Sequence, residues 1–237
     1  MATVILVRHG RSTANSTGVL AGRLPGVLLD DTGEEQVRRV GERLAQVPLV
    51  HAVSSPLERC EQTARAILAA QPGEVVLAHD ERLTECGYGA WQGRALKDLA
   101  GEDLWRTVQR HPSHAVFPEG ESIRDMAARA VEAVRQVDAQ VESEHGPGAV
   151  WLAVSHGDVI KSILADAYGT HLDHFQRIVV DPASVSIVRF TEDRPYVVAT
   201  NTHAGDLSWL TSRESVERTA EAVPGGGAGP VGPTHPA

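Results

Sequence analysis

Apolar positions along this chain follow two periods. Val4-Ile5-Leu6-Val7, Val75-Val76-Leu77-Ala78 and Val150-Trp151-Leu152-Ala153-Val154 are unbroken runs of strand length, as expected for strands covered on both faces of a parallel sheet. Elsewhere the apolar residues repeat at helical spacing, as Val40, Leu44 and Val47 do, and as Ile123, Met126, Ala130, Val134 and Val137 do. The predicted order begins with a strand at 3–8. Thr32-Gly33-Glu34-Glu35 then opens a helix of about fifteen residues, with Thr32 as N-cap and Glu35 as its capping-box partner. A short strand over 51–55 leads through Pro56, at the first turn, into a helix containing Thr63 to Ala70. After a third strand at 75–78 come a glycine-rich loop and short helices near 95–110. A long helix over 121–143 is broken by Gly146-Pro147-Gly148. A strand at 150–154 and a helix at 158–168 follow. Residues 184–190 and 195–200 read as a closing hairpin around Glu192-Asp193-Arg194.

This alternation predicts an α/β fold: a three-layer α/β/α arrangement, its mostly parallel sheet covered by helices on both faces and closed by an antiparallel strand. One domain spans 1–222. Residues 223–237 are rich in Gly and Pro and read as a disordered tail without a core.

Composition removes several function classes. The 237 residues, 42% hydrophobic and 22% charged, are ordinary for a soluble globular chain. A net charge of −9 argues against a nucleic-acid surface, which requires a basic face. An anion site here has to be a local cationic pocket on an acidic body. Only Lys97 and Lys161 among the 22 basic residues are lysines. Two cysteines, Cys60 and Cys86, are too few for a disulfide scaffold or a four-cysteine zinc site. The N-terminus has no leader pattern, and no apolar run approaches the ~20 residues that span a bilayer. The expectation is a cytoplasmic protein with no membrane partner; assembly into homo-oligomers is left open.

The chemistry gathers at strand ends. Val7-Arg8-His9-Gly10 terminates the first apolar run in a cation, an imidazole and a glycine, where ligands bind in open α/β sheets. A histidine there can attack phosphorus while a guanidinium neutralises phosphoryl oxygens, and Gly10 lets backbone pass close by. Ser54-Ser55-Pro56-Leu57-Glu58-Arg59 places small polar residues and an arginine at the next strand-to-helix junction, a ready anion site. Val154-Ser155-His156-Gly157 repeats the first pattern. The loop Leu83-Thr84-Glu85-Cys86-Gly87-Tyr88-Gly89-Ala90-Trp91-Gln92-Gly93 supplies one carboxyl, a proton donor if its surroundings keep it protonated. Each motif alone has an ordinary structural reading: a polar turn, a capping serine with a solvated arginine, a core histidine, a surface carboxylate. Together, if the strands are neighbours, they converge on one crevice.

In that order along residues 1–200 the four motifs resemble the histidine phosphatase superfamily, the phosphoglycerate-mutase-like group. Within it the chain looks most like the small bacterial acid phosphatases, some of which are labelled phosphomutases. The resemblance implies that His9 is the nucleophile, that Arg8, Arg59 and His156 hold the non-bridging oxygens, and that Glu85 is the acid. It further implies that Ser12 and Asn15 line the phosphate pocket and that Arg23 reaches it from the next loop. The implied activity is metal-independent hydrolysis of small-molecule phosphomonoesters through a phosphohistidine, with no cofactor. Ser12 stands where threonine is commoner, Cys60 where alanine is, and Gln92 where glutamate is; none of these removes a catalytic group.

Three alternatives remain. A cofactor-dependent phosphomutase of the phosphoglycerate type would carry a longer segment after the acid loop, with adjacent arginines. Residues 94–120 are short and offer Arg94, Arg106 and Arg110 without an Arg-Arg pair. Trp91, Trp105 and Phe117 suit either an apolar substrate wall or packing. A metal enzyme would need His111, His114, His171 and His174 to have partner carboxylates at ligand spacing, which they lack. A non-catalytic phosphate-binding protein usually loses the nucleophile or the acid, and this chain has both.

Overall fold

The computed structural model describes residues 2–203 and 223–227. Its elements in chain order are β1 (Thr3–Arg8), α1 (Thr13–Thr17), α2 (Asp31–Leu44), β2 (Leu49–Ser54), α3 (Glu58–Ala69), β3 (Leu77–His79), α4 (Leu96–Leu99), α5 (Asp103–Arg110), α6 (Ile123–His145), β4 (Val150–Ser155), α7 (Gly157–Ala167), β5 (Val185–Arg189) and β6 (Tyr196–Thr202). They form a six-stranded sheet of order β3-β2-β4-β1-β5-β6. The β1–β4, β2–β4 and β2–β3 pairs are parallel, while β5 runs antiparallel to both β1 and β6. This is the expected mixed α/β sheet.

Successive side chains of a strand point to opposite faces, so an unbroken apolar run feeds two cores. Val4 and Leu6 of β1 pack with Trp151 and Ala153 of β4 on the face covered by α6 and α7. Ile5, Val7, Leu152 and Val154 pack on the other face with Val37, Val40 and Leu44 of α2 and Ala64 and Ile67 of α3. The indole N–H of Trp151 donates to Asp138 Oδ1 of α6 at 2.8 Å, so its one polar atom is satisfied in the core. Among the described residues no helix is long and apolar enough to cross a membrane.

Three local expectations shift. The N-cap of α2 is Asp30 rather than Thr32: its extended backbone (φ −93°) lets the carboxylate accept the Gly33 N–H at 2.8 Å. Thr32 already lies inside the helix, and its hydroxyl accepts from Arg11. Pro56 sits outside α3, whose N-cap is Leu57. The third strand starts at Leu77, because it is an edge strand with only three residues in register with β2, and Val76 is exposed. Of the tail expected to lack structure, Val223–Gly227 is described, with Pro224 and Gly226 buried; residues 204–222 and 228–237 lie outside the described residues.

Candidate active site

Strands β2, β4 and β1 are neighbours, and all three run the same way. Their carboxyl ends therefore deliver Ser54-Ser55, Ser155-His156 and Arg8-His9 to one edge of the sheet, and α3 adds Arg59 from its first turn. Gly10 is required by close approach, although its neighbour is a helix and not a ligand. A Cβ on Gly10 would lie 2.6 Å from the Gly33 carbonyl oxygen and 2.8 Å from a Val37 methyl, so the absent side chain lets α2 pack against this loop. Thr63 Oγ1 accepts the Gly10 N–H at 3.1 Å and donates to the Arg59 carbonyl at 2.8 Å, tying α3 to the loop.

His9 is buried, and its Nδ1 lies 2.7 Å from the Gly10 carbonyl oxygen. A carbonyl only accepts, so Nδ1 carries the hydrogen and Nε2 the lone pair. Arg59 Nε donates to that Nε2 at 3.2 Å. Burial, reinforced by the Arg59 and Arg8 guanidiniums, holds the His9 pKa well below the usual histidine value, with the Gly10 carbonyl pulling the other way. His156 is 5.2 Å from His9, centroid to centroid, with the rings edge to face. Its Nδ1 accepts from Arg59 Nη2 at 3.1 Å, and its Nε2 lies 2.8 Å from the Ser55 hydroxyl. Burial and then Arg59 hold this imidazole neutral as well. Arg8 Nε and Arg59 Nη1 are buried donors without hydrogen-bond partners among the described residues.

Glu85 closes the other side. Burial first, and then the nearby Asp158 carboxylate, push its pKa up to about 7, against the pull of the Cys86 N–H, Arg59 and Arg8. The loop that carries it is clamped from outside by Glu121. The Glu121 carboxylate accepts from the Gly87 N–H at 2.8 Å, Arg23 Nη2 at 2.7 Å and Arg129 Nη2 at 2.6 Å. Arg23 Nε and Arg129 Nη2 in turn donate to the Glu85 carbonyl, at 2.8 and 3.2 Å.

A cavity of about 30 Å³ at the centre is lined by His9, Ser12, Asn15, Arg59, Glu85 and Gly226, among others. Arg8 and His156 lie just behind this lining: His156 touches it through Arg59, and the Arg8 guanidinium donates to the Val180, Gly225 and Gly226 carbonyls. Ser12 and Asn15 form the capping box of α1, with Asn15 Oδ1 accepting from both the Ser12 N–H and its hydroxyl. Arg23 does not line the cavity: its guanidinium is committed to the Glu85 carbonyl and Glu121. Sequence reasoning missed Glu121 and Arg129 as supports of the acid loop; the one available signal was the polar turn Pro118-Glu119-Gly120-Glu121-Ser122 immediately before α6. It also missed Asp158, fully buried beside Glu85, which accepts from the Tyr88 hydroxyl at 2.7 Å.

The remaining candidates stand apart from the cavity. Trp91, Phe117 and Tyr88 pack on one another in the core, with Trp105 stacked on Trp91. His171 caps a helical turn by accepting the Asp173 N–H, and no metal-holding group of His, Cys, Asp and Glu occurs among the described residues. Cys60 is fully buried against His156, and burial pushes its thiol up to about 12, so it is a neutral packing group. A larger groove of about 740 Å³ between α6 and α7 is lined by Ala127, Val131 and Ala165 with flanking charges, and no reactive groups converge there.

Comparison with known proteins agrees with this architecture. A probable phosphoglycerate mutase GpmB of Erwinia tasmaniensis is 30% identical over 226 residues, which cover 92% of this chain and all of that protein. Phosphoserine phosphatase 1 of Hydrogenobacter thermophilus is 29% identical, over 87% of this chain and 96% of its own. Among solved structures, Bacillus stearothermophilus YhfR superposes with a TM-score of 0.77 at 26% identity, covering 86% of this chain and 98% of that one. Residues 4–203 match the profile of the histidine phosphatase superfamily, branch 1, and the chain belongs to that family.

Proposed function

We propose that this protein hydrolyses small-molecule phosphomonoesters through a covalent phosphohistidine at His9. The observation that carries the reading is one small cavity lined by both a neutral imidazole, whose Nε2 carries the lone pair and accepts from Arg59, and a carboxyl that burial has raised to about 7. A nucleophile and an acid with separated protonation states are what ester cleavage near neutral pH requires.

In the first step His9 Nε2 forms a bond to phosphorus as the ester P–O bond breaks, and Glu85 gives its proton to the departing oxygen. Arg8 and Arg59 supply donors to the non-bridging oxygens, where charge concentrates in the transition state, and His156, whose Nε2 hydrogen faces the Ser55 hydroxyl here, has to redirect it to the third. Arg59 Nη1 and Arg8 Nε, buried without partners among the described residues, are suited to such oxygens. The Arg59 Nε contact to His9 has to transfer to the phosphoryl group, which frees the attacking lone pair. With its oxygen tied to Ser12, Asn15 has only its amide hydrogens to offer phosphate. In the second step Glu85, now a carboxylate, takes a proton from the water that attacks phospho-His9, and inorganic phosphate leaves.

The 30% identity to a probable phosphoglycerate mutase over 92% of the chain favours a second reading, transfer of the phosphoryl group between hydroxyls of a phosphoglycerate. The phosphatase reading is preferred because residues 94–120 are short and lack paired arginines for a second acidic group, and because 29% identity to a phosphoserine phosphatase spans nearly the same length. A screen of phosphomonoesters separates the two, with 3-phosphoglycerate tested with and without 2,3-bisphosphoglycerate. Hydrolysis of p-nitrophenyl phosphate with trapping of an acid-labile phosphoenzyme is expected, and His9→Ala should lose both. An alanine variant that turns over near the parental rate would refute His9 as nucleophile.

A further inference from the structure

The phosphate pocket carries an insertion from the far end of the chain. Val223–Gly227, separated in sequence from β6, lies across the cavity: Pro224, Gly225, Gly226 and Gly227 line it together with His9 and Glu85. The segment is held at three points. Both hydrogens of Arg8 Nη2 are taken by backbone carbonyls, Gly225 O at 3.1 Å and Gly226 O at 3.0 Å. The Gly225 N–H donates to Asp158 Oδ2 at 3.0 Å, the same oxygen that accepts the Tyr88 hydroxyl. The fit depends on glycine from both sides. A Cβ on Gly226, at φ +68°, would lie 2.7 Å from Arg8 Nη1, and one on Gly157 would lie 3.0 Å from the Gly225 oxygen.

We infer that Val223–Gly227 is an autoinhibitory strap whose carbonyl oxygens occupy Arg8 in place of phosphoryl oxygens, so that substrate must displace it. The inference rests on the assignment of Arg8 to phosphate binding. Two points support displacement over closure on a bound substrate. The remaining cavity, about 30 Å³, has room for no more than a couple of waters and none for the body of an ester. And Arg8 satisfies its Nη2 completely with the strap, so phosphate gains that nitrogen only when the strap leaves. An internal competitor of this kind weakens apparent substrate affinity and leaves the chemical step alone, because the bound complex is the same with or without it.

Three forms of the chain test this: the full-length protein, a chain ending at Ala222, and full-length Gly226→Val, whose side chain cannot sit against Arg8. KM and kcat are measured with p-nitrophenyl phosphate, and the Kd for inorganic phosphate by calorimetry. Two or three net hydrogen bonds lead us to expect both variants to lower KM and phosphate Kd on the order of tenfold with kcat unchanged. A peptide of residues 222–229, added to the shortened chain, should inhibit it competitively. Unchanged KM and phosphate Kd in both variants, or a fall in kcat when the strap is removed, would overturn the inference; the latter would make the segment a lid that completes the site. If no form hydrolyses the ester, the phosphatase reading fails. The phosphate Kd values still report on the strap in that case.

Discussion

Replacing Glu85 with glutamine should damage catalysis and improve stability together, and both effects can be sized from the site. A carboxyl whose folded-state pKa lies above its ordinary value binds its proton more tightly in the folded protein. Its contribution to stability is whole below that ordinary value, 4.5, and is lost as pH rises through about 7. At 1.36 kcal/mol per pH unit, the difference corresponds to roughly 3 kcal/mol of stability missing from the parent protein at pH 8. Glutamine keeps the acceptor for the Cys86 N–H and never ionises, so it avoids that loss. For a chain of this size Glu85→Gln should therefore raise Tm by roughly 6–12 °C at pH 8 and by little at pH 5. Catalysis should move the other way. A general acid contributes about 10²–10⁴ in rate, so kcat for an alkyl phosphate should fall by that order. The fall for p-nitrophenyl phosphate, whose phenolate departs with little help, should be far smaller. The parent enzyme should lose activity on alkyl esters as pH rises past about 7, as Glu85 surrenders its proton. Equal losses on the two substrates would remove Glu85 from the acid role, and a Tm difference independent of pH would show that the carboxyl is not held protonated.

Two other perturbations reach different parts of the site. Glu121→Ala leaves Arg23, Arg129 and the Gly87 N–H without their shared acceptor, so the acid loop should loosen, with kcat for alkyl phosphates falling about ten- to a hundredfold and stability by roughly 1–3 kcal/mol; an unchanged kcat would deny the clamp any positioning role. Dialysis against a strong chelator should leave phosphatase activity intact, since nucleophile, acid and cations are all side chains; activity lost to chelator and restored by a divalent ion would refute the proposed chemistry.

What could be read from sequence follows the physics of each element. Strand ends β1 and β4 were legible because unbroken apolar runs stop abruptly at Arg8-His9 and Ser155-His156, and a two-sided sheet leaves little freedom in where such runs lie. The α2 cap was less legible: Asp30, Asp31 and Thr32 are all acceptable capping residues, and only the backbone turn selects Asp30. Strand β3 began two residues late for a similar reason, since an edge strand is defined by its partner's register more than by its own apolar content. Arg23 illustrates the limit of motif reasoning. Its position in the loop is compatible with the phosphate, yet the acceptor it meets, Glu121, lies 98 residues away, and no spacing rule anticipates that pairing. Val223–Gly227 shows a different limit. Its composition reads as a tail without a core, yet Pro224 and Gly226 are buried, because a backbone can dock through its own carbonyls and N–H groups.

The electrostatic arrangement explains why a histidine can serve as the proposed nucleophile at all. Two guanidiniums buried beside an imidazole would be costly on their own, and the acidic residues around them offset that cost. Arg8 is lowered by burial, while Asp181, Glu85 and Asp158 pull it back up. Asp181, itself pushed up by burial, is held ionised by His203 and Asn201. Burial, with these guanidiniums adding to it, keeps His9 and His156 from taking up protons. A neutral His9 therefore keeps its Nε2 lone pair near neutral pH, where Glu85, raised to about 7, still holds its proton. The two conditions for attack and departure overlap because burial acts on both kinds of group: it disfavours the protonated imidazole and the ionised carboxyl alike, and the positive cluster reinforces it at His9 while opposing it at Glu85. Phosphate would then bring the negative charge that the cluster lacks. The strap's two carbonyls are a weak, uncharged substitute for it, which is why an incoming dianion should be able to displace them.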